Sequence, residues 1–374
     1  MLKIKSLVFA SLLVFQVSAF AQRLSASTEF FFAPKDQAHQ PIIDAIDSAK
    51  KSVKMVMFHL SDPTVGSALM FAAKRGVNVR IIFDKGEWRS ANDQKLVNDM
   101  KEAGVNIVQG TPGFRITHEK AMVIDDRLAM ISTMNQIKTY MSMFDMGVFT
   151  SDQGVIAEWN EVFETDWQNS ASHAHDTPNL SNPNLLWSPI NSTDKLVALI
   201  GSAQNRIELT VENIGEENIQ NALISAAGRG VAVRVIVPMC DVVRANFNYA
   251  PVMALRHAKI DARMMPGPAS TETPYIHAKS IVVDQTTVYL GSENFSLSSL
   301  TLSREVGLIA DDSDLAANVD SLFEQLWVRV KLPPTDANYK CAAFLDIASP
   351  GVDAGPQSLV SGLFSRLMIQ PTSH

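Results

Sequence analysis

The sequence predicts an α/β protein made of two similar halves. Short apolar segments with the length of buried strands alternate with amphipathic segments of helical length, which is typical of sheets covered by helices on both faces. The same succession of segments occurs twice, about 150 residues apart. With 374 residues and a 46% apolar fraction, the chain is long enough for two domains with a substantial core.

The internal repeat can be followed residue by residue. Ala73-Lys-Arg-Gly-Val-Asn-Val-Arg80 corresponds to Ala227-Gly-Arg-Gly-Val-Ala-Val-Arg234, at an offset of 154 residues. Each half begins with a helix, a strand, a helix and a strand. In chain order these segments are residues 41–51, 53–60, 64–75 and 77–83, and then residues 194–204, 206–212, 217–229 and 231–237. A repeat of this size indicates a duplicated fold.

The repeat also predicts how the chain is divided. We expect a signal peptide at residues 1–21, a first lobe at 30–168, a linker at 169–190, a second lobe at 191–331 and a C-terminal tail at 332–374.

The linker is rich in Ser, Asn, Pro and His. Its His173 and His175 have the spacing of metal ligands, but no acidic or cysteine partner lies nearby, which favours a solvated linker. Apolar pairs at helical spacing near the end of the tail favour a helix packed on the body of the protein over an interfacial helix.

The first residues have the features of a secretory signal. Lys3 and Lys5 precede an apolar run at residues 7–17, and Ala19-Phe20-Ala21 matches a cleavage site. The run is short for a membrane span, so an uncleaved anchor is the weaker alternative. We therefore expect an exported bacterial protein, either periplasmic or secreted.

Charge and cysteine content further restrict the kind of protein that this chain can be. A formal net charge of −7 argues against nucleic acid as the main partner, since dedicated nucleic-acid binders usually carry a basic surface. The two cysteines, Cys240 and Cys341, are too few for a disulfide framework. They can pair in an oxidising compartment, but the sequence does not show whether they are close.

A short chemical motif occurs once in each half. It is His118-Glu-Lys120 followed by Asp125, and His277-Ala-Lys279 followed by Asp284, 159 residues later. Two imidazoles and two ammonium groups suffice for phosphodiester chemistry without a metal, because one imidazole can attack phosphorus, the other can protonate the leaving oxygen, and the lysines can hold the phosphoryl oxygens. The candidate catalytic residues are His118, Lys120, Asp125, His277, Lys279 and Asp284.

No cofactor and no metal is expected. No group of His, Asp and Glu has convincing ligand spacing, and lysines beside the histidines would repel a divalent cation.

Each motif reads as a strand followed by a tight turn and an antiparallel partner. On a strand, residues two apart face the same side, so His118 and Lys120 project together. Asp125 lies an odd number of residues away, at the turn, and so does Asp284 in the second copy. These two carboxylates are therefore expected to brace the site rather than to contact the phosphate.

Polar residues follow each hairpin. The first copy has Ser132-Thr-Met-Asn135 and the second has Gly291-Ser-Glu-Asn294. Their hydroxyl and amide groups can donate to phosphoryl oxygens, so the candidate substrate-binding residues are Asn135, Ser292 and Asn294. Farther on, Asp145 and Glu305 occupy matching positions, where a carboxylate can accept a hydrogen bond from the far nitrogen of a catalytic imidazole and orient it.

The duplicated H-x-K-x4-D motif with its G-S-x-N element resembles the phospholipase D superfamily, across roughly residues 30–330. The resemblance implies two similar α/β lobes, each a sheet flanked by helices, related by a pseudo-twofold axis with one active site at their interface. It also implies that His118 is the nucleophile, forming a phosphohistidine, and that His277 is the general acid. The first copy departs from the pattern, with Ser-Thr for Gly-Ser and Asp145 for glutamate, so the choice of nucleophile stays open.

Three functions are consistent with the motif: a phospholipid enzyme, an exported nuclease, and a non-catalytic phosphate-binding protein. Predicted export, acidic charge and methionine-rich segments favour phospholipid, although methionines more often fill cores. Those methionines are Met141, Met143, Met146, Met264 and Met265. We predict phospholipase D-type hydrolysis ahead of transfer by a cardiolipin synthase-like enzyme, with contact to a membrane surface. Nucleic acid is the less favoured partner, and oligomerisation is not required because one chain holds both half-sites.

Overall fold

A computed structural model describes residues 22–33, 39–86, 91–137, 143–172, 176–241, 246–337 and 339–341. The predicted signal peptide, His173, His175, Met141 and the tail beyond Cys341 lie outside these residues. Within them, no helix is long and apolar enough to cross a membrane.

The first half of the chain forms a mixed sheet with helices. Its elements are β1 (Thr28–Ala33), α1 (Gln40–Ser48), β2 (Ser52–Met57), α2 (Pro63–Lys74), β3 (Asn78–Phe83), α3 (Ala91–Glu102), β4 (Asn106–Gln109), β5 (Lys120–Ile124), β6 (Leu128–Ser132), β7 (Met143–Thr150) and α4 (Gln153–Ser172). The strand order is β1-β7-β6-β5-β2-β3-β4. The β2–β3 and β3–β4 pairs are parallel, whereas β5, β6 and β7 are joined antiparallel.

The second half repeats this plan. Its elements are β8 (Leu185–Ser188), α5 (Ser192–Ser202), β9 (Arg206–Thr210), α6 (Glu217–Gly228), β10 (Ala232–Pro238), α7 (Tyr249–His257), β11 (Asp261–Met265), β12 (Tyr275–Ile276), β13 (Ser280–Val283), β14 (Thr287–Gly291), α8 (Leu297–Leu302), β15 (Glu305–Asp311) and α9 (Ser313–Trp327). The sheet order is β11-β10-β9-β13-β14-β15-β8, which matches the first sheet from β4 to β7. The two similar α/β lobes predicted from the sequence are therefore confirmed.

Local sequence explains the boundaries of these elements. Asp62 caps α2 by accepting a hydrogen bond from the backbone N–H of Thr64, and Gly76, at φ +88°, follows the end of the helix. The two motif hairpins turn through residues with positive φ, namely Asp125 and Asp126 in one copy and Asp284 and Gln285 in the other. Turns with positive φ at both central positions match the twist of the strands they join.

The two lobes share one core. Apolar side chains on the inner faces of both sheets and on α4 and α9 form a single cluster that includes the fully buried Trp159 and Trp187. Each lobe has a further cluster beneath its outer helices. Burial of a large apolar side chain contributes about 1.5–3 kcal/mol, so the shared cluster holds the lobes in one fixed arrangement.

The structure differs from the predicted division at the linker. Helix α4 runs to Ser172, and the amide of Asn169 bonds the backbone of Asp176. Strand β8, inside the predicted linker at 169–190, pairs with β15 and belongs to the second sheet. The tail is also attached, since Cys341 forms a disulfide with Cys240 at a Cα–Cα distance of 5.7 Å. The pairing that the sequence left open is therefore made.

Candidate active site

The segment leading into each histidine motif is anchored to the opposite lobe. The backbone N–H of His118 donates to the carbonyl of Arg304 at 2.9 Å, and that of His277 donates to the carbonyl of Phe144 at 3.0 Å. Strand β12 pairs with β7 of the first sheet, and Thr117 forms an isolated bridge with Arg304. His118 is thus fixed beside Glu305, the residue after Arg304. His277 is fixed beside Asp145, the residue after Phe144.

The imidazole–carboxylate pairs are therefore crossed between the lobes. Nδ1 of His118 lies 2.7 Å from Oε2 of Glu305, and Nδ1 of His277 lies 2.8 Å from Oδ1 of Asp145. Both carboxylate side chains are completely buried. A carboxyl oxygen at Nδ1 accepts that N–H in either protonation state and fixes the ring orientation, which leaves Nε2 for chemistry.

Both histidines line one pocket at the interface of the lobes. The other lining residues are Phe58, His59, Ile116, Asn135, Glu212, Asn294, Ser296, Ser298, Ser299, Ser303 and Glu305. Lys120 and Lys279 are fully buried and do not line this pocket. Each donates its Nζ to the backbone carbonyl of the histidine two residues earlier.

Burial and neighbouring charges decide the protonation of the first half-site. Loss of hydration, with repulsion from Lys120 and Lys279, lowers the pKa of His118 well below its ordinary value. Burial also lowers the pKa of Lys120 to about 7 and raises that of Glu305 to about 8. His118 is therefore a neutral imidazole at neutral pH, and this is the form that can act as a nucleophile.

The structure adds a carboxylate that the sequence analysis missed. Glu212 follows β9, and its Oε2 lies 3.1 Å from Nζ of Lys279 and 3.7 Å from Nε2 of His277. Tyr275 and Asn294 donate hydrogen bonds to the same carboxylate. Although burial favours protonation, Lys279, His277 and these hydrogen bonds hold the pKa of Glu212 far below its ordinary value. The charge of Glu212 is thus permanent at neutral pH.

The equivalent position in the first copy is occupied by an aromatic ring. The 154-residue offset of the repeat places Phe58 where the second copy has Glu212. The Phe58 ring contacts the His118 ring edge-on, with centroids 4.7 Å apart, and Nζ of Lys120 lies 5.0 Å from its centre. The next residue, His59, also lines the pocket, and burial lowers its pKa to about 4. An alignment of residues 53–60 with residues 207–214 would have shown that Phe58 and Glu212 occupy equivalent positions beside the motif.

The predicted substrate-binding residues are placed unequally. Asn135 and Asn294 line the pocket, and among the described residues their amide oxygens have no hydrogen-bond partner. Ser292 does not line the pocket: its hydroxyl bonds the backbone of Val306 and supports Glu305. The structure therefore places Ser292 against Glu305 and outside the pocket, whereas the sequence predicted it among the substrate-binding residues.

Two residues of the predicted catalytic set lie away from the pocket. The carboxylate of Asp125 accepts hydrogen bonds from the backbone N–H groups of residues 50, 51 and 52. Asp284 accepts the equivalent bonds from residues 204, 205 and 206. Their place in the catalytic set is corrected, and they brace the hairpins as the strand geometry predicted. The described methionines of the proposed acyl-chain entrance are buried in the core and do not line the pocket: Met143, Met146, Met264 and Met265.

The fold also brings the carboxylate of Glu208 on β9 to those of Asp320 and Glu324 on α9. They lie outside the pocket and are ion-paired with Arg206 and Arg234. The neighbouring guanidinium charges make this cluster a network of ion pairs rather than a cation site.

Two crossed imidazole–carboxylate pairs, with two lysines behind one pocket, define a member of the phospholipase D superfamily. Residues 42–167 and 196–327 match the family model described as "Cardiolipin synthase, PLD-like domain". This match covers well over half of the chain, so the chain belongs to that family.

Individual relatives are distant. The chain is 25% identical over 325 residues to cardiolipin synthase A of Buchnera aphidicola subsp. Acyrthosiphon pisum (strain Tuc7), an alignment covering 75% of this chain and 65% of that protein. It is 27% identical over 326 residues to the minor cardiolipin synthase ClsB of Bacillus subtilis (strain 168), covering 76% and 77%. The chain thus spans just under two thirds of the length of cardiolipin synthase A.

Among solved structures, the phosphatidylserine synthase of Haemophilus influenzae Rd KW20 has a similar fold. The TM-score is 0.62 at 14% identity, over 83% of this chain and 88% of that one. At this identity the similarity concerns the fold alone.

Proposed function

We propose that this protein is a phosphatidyltransferase of the cardiolipin synthase type, working through a phosphohistidine and needing no metal. The observation that carries the proposal is the pair of buried imidazoles, each held by a carboxylate of the opposite lobe, in one pocket. Two imidazoles oriented in this way provide a nucleophile and an acid–base on either side of one phosphodiester.

In the first step, Nε2 of His118 attacks the phosphorus of a phosphatidyl donor. A P–N bond forms while the P–O bond to the head-group alcohol breaks. The departing oxygen takes a proton from Nε2 of His277. The lysines and asparagines stabilise the charge that develops on the phosphoryl oxygens.

In the second step, His277 works in the opposite direction. Its Nε2, now without the proton, accepts the proton of an incoming alcohol while that oxygen attacks phosphorus. The P–N bond breaks, and the electron pair returns to His118. With water as the acceptor the product is phosphatidic acid, and with a phosphatidylglycerol hydroxyl it is cardiolipin.

Transfer is placed ahead of hydrolysis, which reverses the order predicted from the sequence. The support is the family itself and the two relatives named above, which are cardiolipin synthases. A phospholipid substrate implies work at a membrane surface. Predicted export, to the periplasm or beyond, remains part of the proposal.

A substrate panel tests the proposal. The full chain is incubated in EDTA with vesicles of phosphatidylglycerol, phosphatidylethanolamine and phosphatidylcholine, and separately with plasmid DNA. We expect new cardiolipin and free glycerol from phosphatidylglycerol, with undiminished yield in EDTA and none from the His277→Ala variant.

Other outcomes would contradict the proposal in distinct ways. Phosphatidic acid without cardiolipin would restore the hydrolase. Nicked plasmid without any lipid product would indicate a nuclease. No product from any substrate would leave a phosphate-binding protein as the better explanation.

A further inference from the structure

The two half-sites differ at the residue after the second strand of each repeat. Met57 pairs with Lys120 across β2 and β5, and Phe58 follows it. Thr210 pairs with Ser280 across β9 and β13, so Val211 stands beside Lys279, and Glu212 follows. An aromatic ring and a carboxylate thus occupy the same place in a duplicated backbone.

We propose that Glu212 is the positioning residue that makes His277 the acid of the reaction and leaves His118 as the nucleophile. This role rests on the proposed function, because it concerns the departure of a head-group alcohol.

The first argument is the charge around His277. Asp145 lies at one ring nitrogen, 2.8 Å from Nδ1, and Glu212 lies toward the other, 3.7 Å from Nε2. The remaining charged or titratable groups around the ring and its partner Glu212 are Lys279, Lys120, His118, Glu305, His59 and Tyr275. The two carboxylates therefore place negative charge on both sides of the ring, and at about 4–6 Å or less such charges attract the positive charge that the ring carries while it holds the proton to be transferred.

The second argument is the contrast with His118. Where His277 faces Glu212, His118 faces the Phe58 ring, which carries no charge. In the part of the chain that the structure describes, Lys120 forms no ion pair, whereas Lys279 pairs with Glu212. The positive charge of Lys120 is therefore less compensated near His118, which disfavours an imidazolium there.

The third argument is that Glu212 organises its own half-site. It bonds Lys279, Asn294 and Tyr275 at 3.1, 3.1 and 2.7 Å. It thereby fixes Asn294, which lines the pocket, and Lys279, which lies behind it. The 3.7 Å separation from Nε2 of His277 exceeds hydrogen-bond distance, so Glu212 acts on this ring through charge and leaves its proton available to the substrate.

The test compares two leaving groups in the Glu212→Gln variant of the full chain. Glycerol departs from phosphatidylglycerol as an alkoxide that needs a proton, whereas p-nitrophenolate departs from a p-nitrophenyl phosphodiester without one. We expect kcat to fall about 100-fold with phosphatidylglycerol and less than about 5-fold with the aryl ester, because general acid catalysis contributes about 10²–10⁴. The basic limb of the pH–kcat profile should move about one unit lower with phosphatidylglycerol.

The matched control is Glu208→Gln, which changes a buried glutamate of the adjoining strand β9 that pairs with Arg234 outside the pocket. It should leave the ratio of the two activities unchanged. Glu212→Asp keeps the charge and should recover part of the phosphatidylglycerol activity.

Equal losses with both substrates, or an unmoved basic limb, would overturn the role of Glu212 while the proposed function stands. If the wild-type chain turned over neither phosphodiester, the proposed function would fall, and this role with it.

Discussion

The first half-site of the pocket is apolar where the second is charged. Around His118 lie the Phe58 ring and a lysine without an ion pair among the described residues, whereas around His277 lie Glu212 and its ion pair with Lys279. The backbones and motifs that carry them are duplicated. The proposed reaction gives the two imidazoles opposite tasks, and the difference at one equivalent position favours a fixed division of those tasks.

The imidazole–carboxylate pairs, in contrast, are arranged in the same way in both half-sites. Each lobe supplies the histidine of one pair and the carboxylate of the other. Neither lobe holds a complete pair, so the site exists only when the lobes are docked. This interdependence explains why the shared core matters for chemistry as well as stability.

Replacing the histidines should have the largest effect and should separate their roles. With phosphatidylglycerol, both His118→Asn and His277→Asn should lose at least about 10⁴ in kcat, as removal of a nucleophile or its acid–base partner does elsewhere. With the p-nitrophenyl phosphodiester, His277→Asn should still release a burst of one nitrophenolate per chain, because its first step needs no acid. His118→Asn should give no burst. If His118→Asn gave the burst and His277→Asn did not, His277 would be the nucleophile and His118 the acid.

Replacing the carboxylates tests the crossed pairing. Asp145→Asn should behave like a weaker version of His277→Asn, and Glu305→Gln like a weaker version of His118→Asn, each losing about 10²–10⁴ in kcat through a misoriented ring. The measurement is again the aryl-ester burst, which Asp145→Asn should keep and Glu305→Gln should slow. If each variant instead mimicked the histidine of its own lobe, the pairing would not be crossed in solution.

The pH dependence of stability should differ at equivalent positions, Met134 in the first copy and Glu293 in the second. Burial raises the pKa of Glu293 to about 8, and its carboxyl contacts Ser192 and Tyr289. The folded state therefore keeps a proton that the unfolded chain releases from about pH 4.5 upward. The resulting stabilisation is complete below that pH and is lost as the pH rises through 8.

Glu293→Gln removes this titration. The free energy of unfolding of the variant minus that of the wild type should therefore increase by up to about 4 kcal/mol from pH 5 to pH 8.5. Denaturant titrations at the two pH values measure this difference. The control is Glu324→Gln, because the Glu324 side chain is half-exposed. A difference independent of pH would show that Glu293 is ionised in the folded protein.

The smallest effect is expected at the hairpin braces, where the two copies are alike. Asp125→Asn and Asp284→Asn should each lower the free energy of unfolding by about 1.5–3 kcal/mol, because the amide bonds the three backbone N–H groups less strongly than the carboxylate. The kcat of the folded variants should stay within about twofold of the wild type. A large loss of kcat without loss of stability would return these residues to the catalytic set.

The sequence alone was sufficient for the duplication and for the first helices and strands of each half, although it placed β8 in a linker. The helix predicted at 217–229 is observed as Glu217–Gly228, and the strand predicted at 206–212 as Arg206–Thr210. These elements follow from apolar periodicity and from turn residues, which act over a few neighbouring positions. The same local geometry predicted that Asp125 and Asp284 face away from the pocket.

Only the tertiary structure decided which residues meet in the pocket. His118 and Glu305 are 187 positions apart, and Asp145 and His277 are 132 apart, so no periodicity links them. Their pairing depends on how the inner faces of the lobes pack. The Cys240–Cys341 disulfide depends instead on how the tail folds back onto the second lobe, where Tyr339 bonds the backbone of Met239. The sequence showed that the motif is duplicated. The consequence of having Phe58 in one copy and Glu212 in the other could be inferred only from the side chains that each contacts.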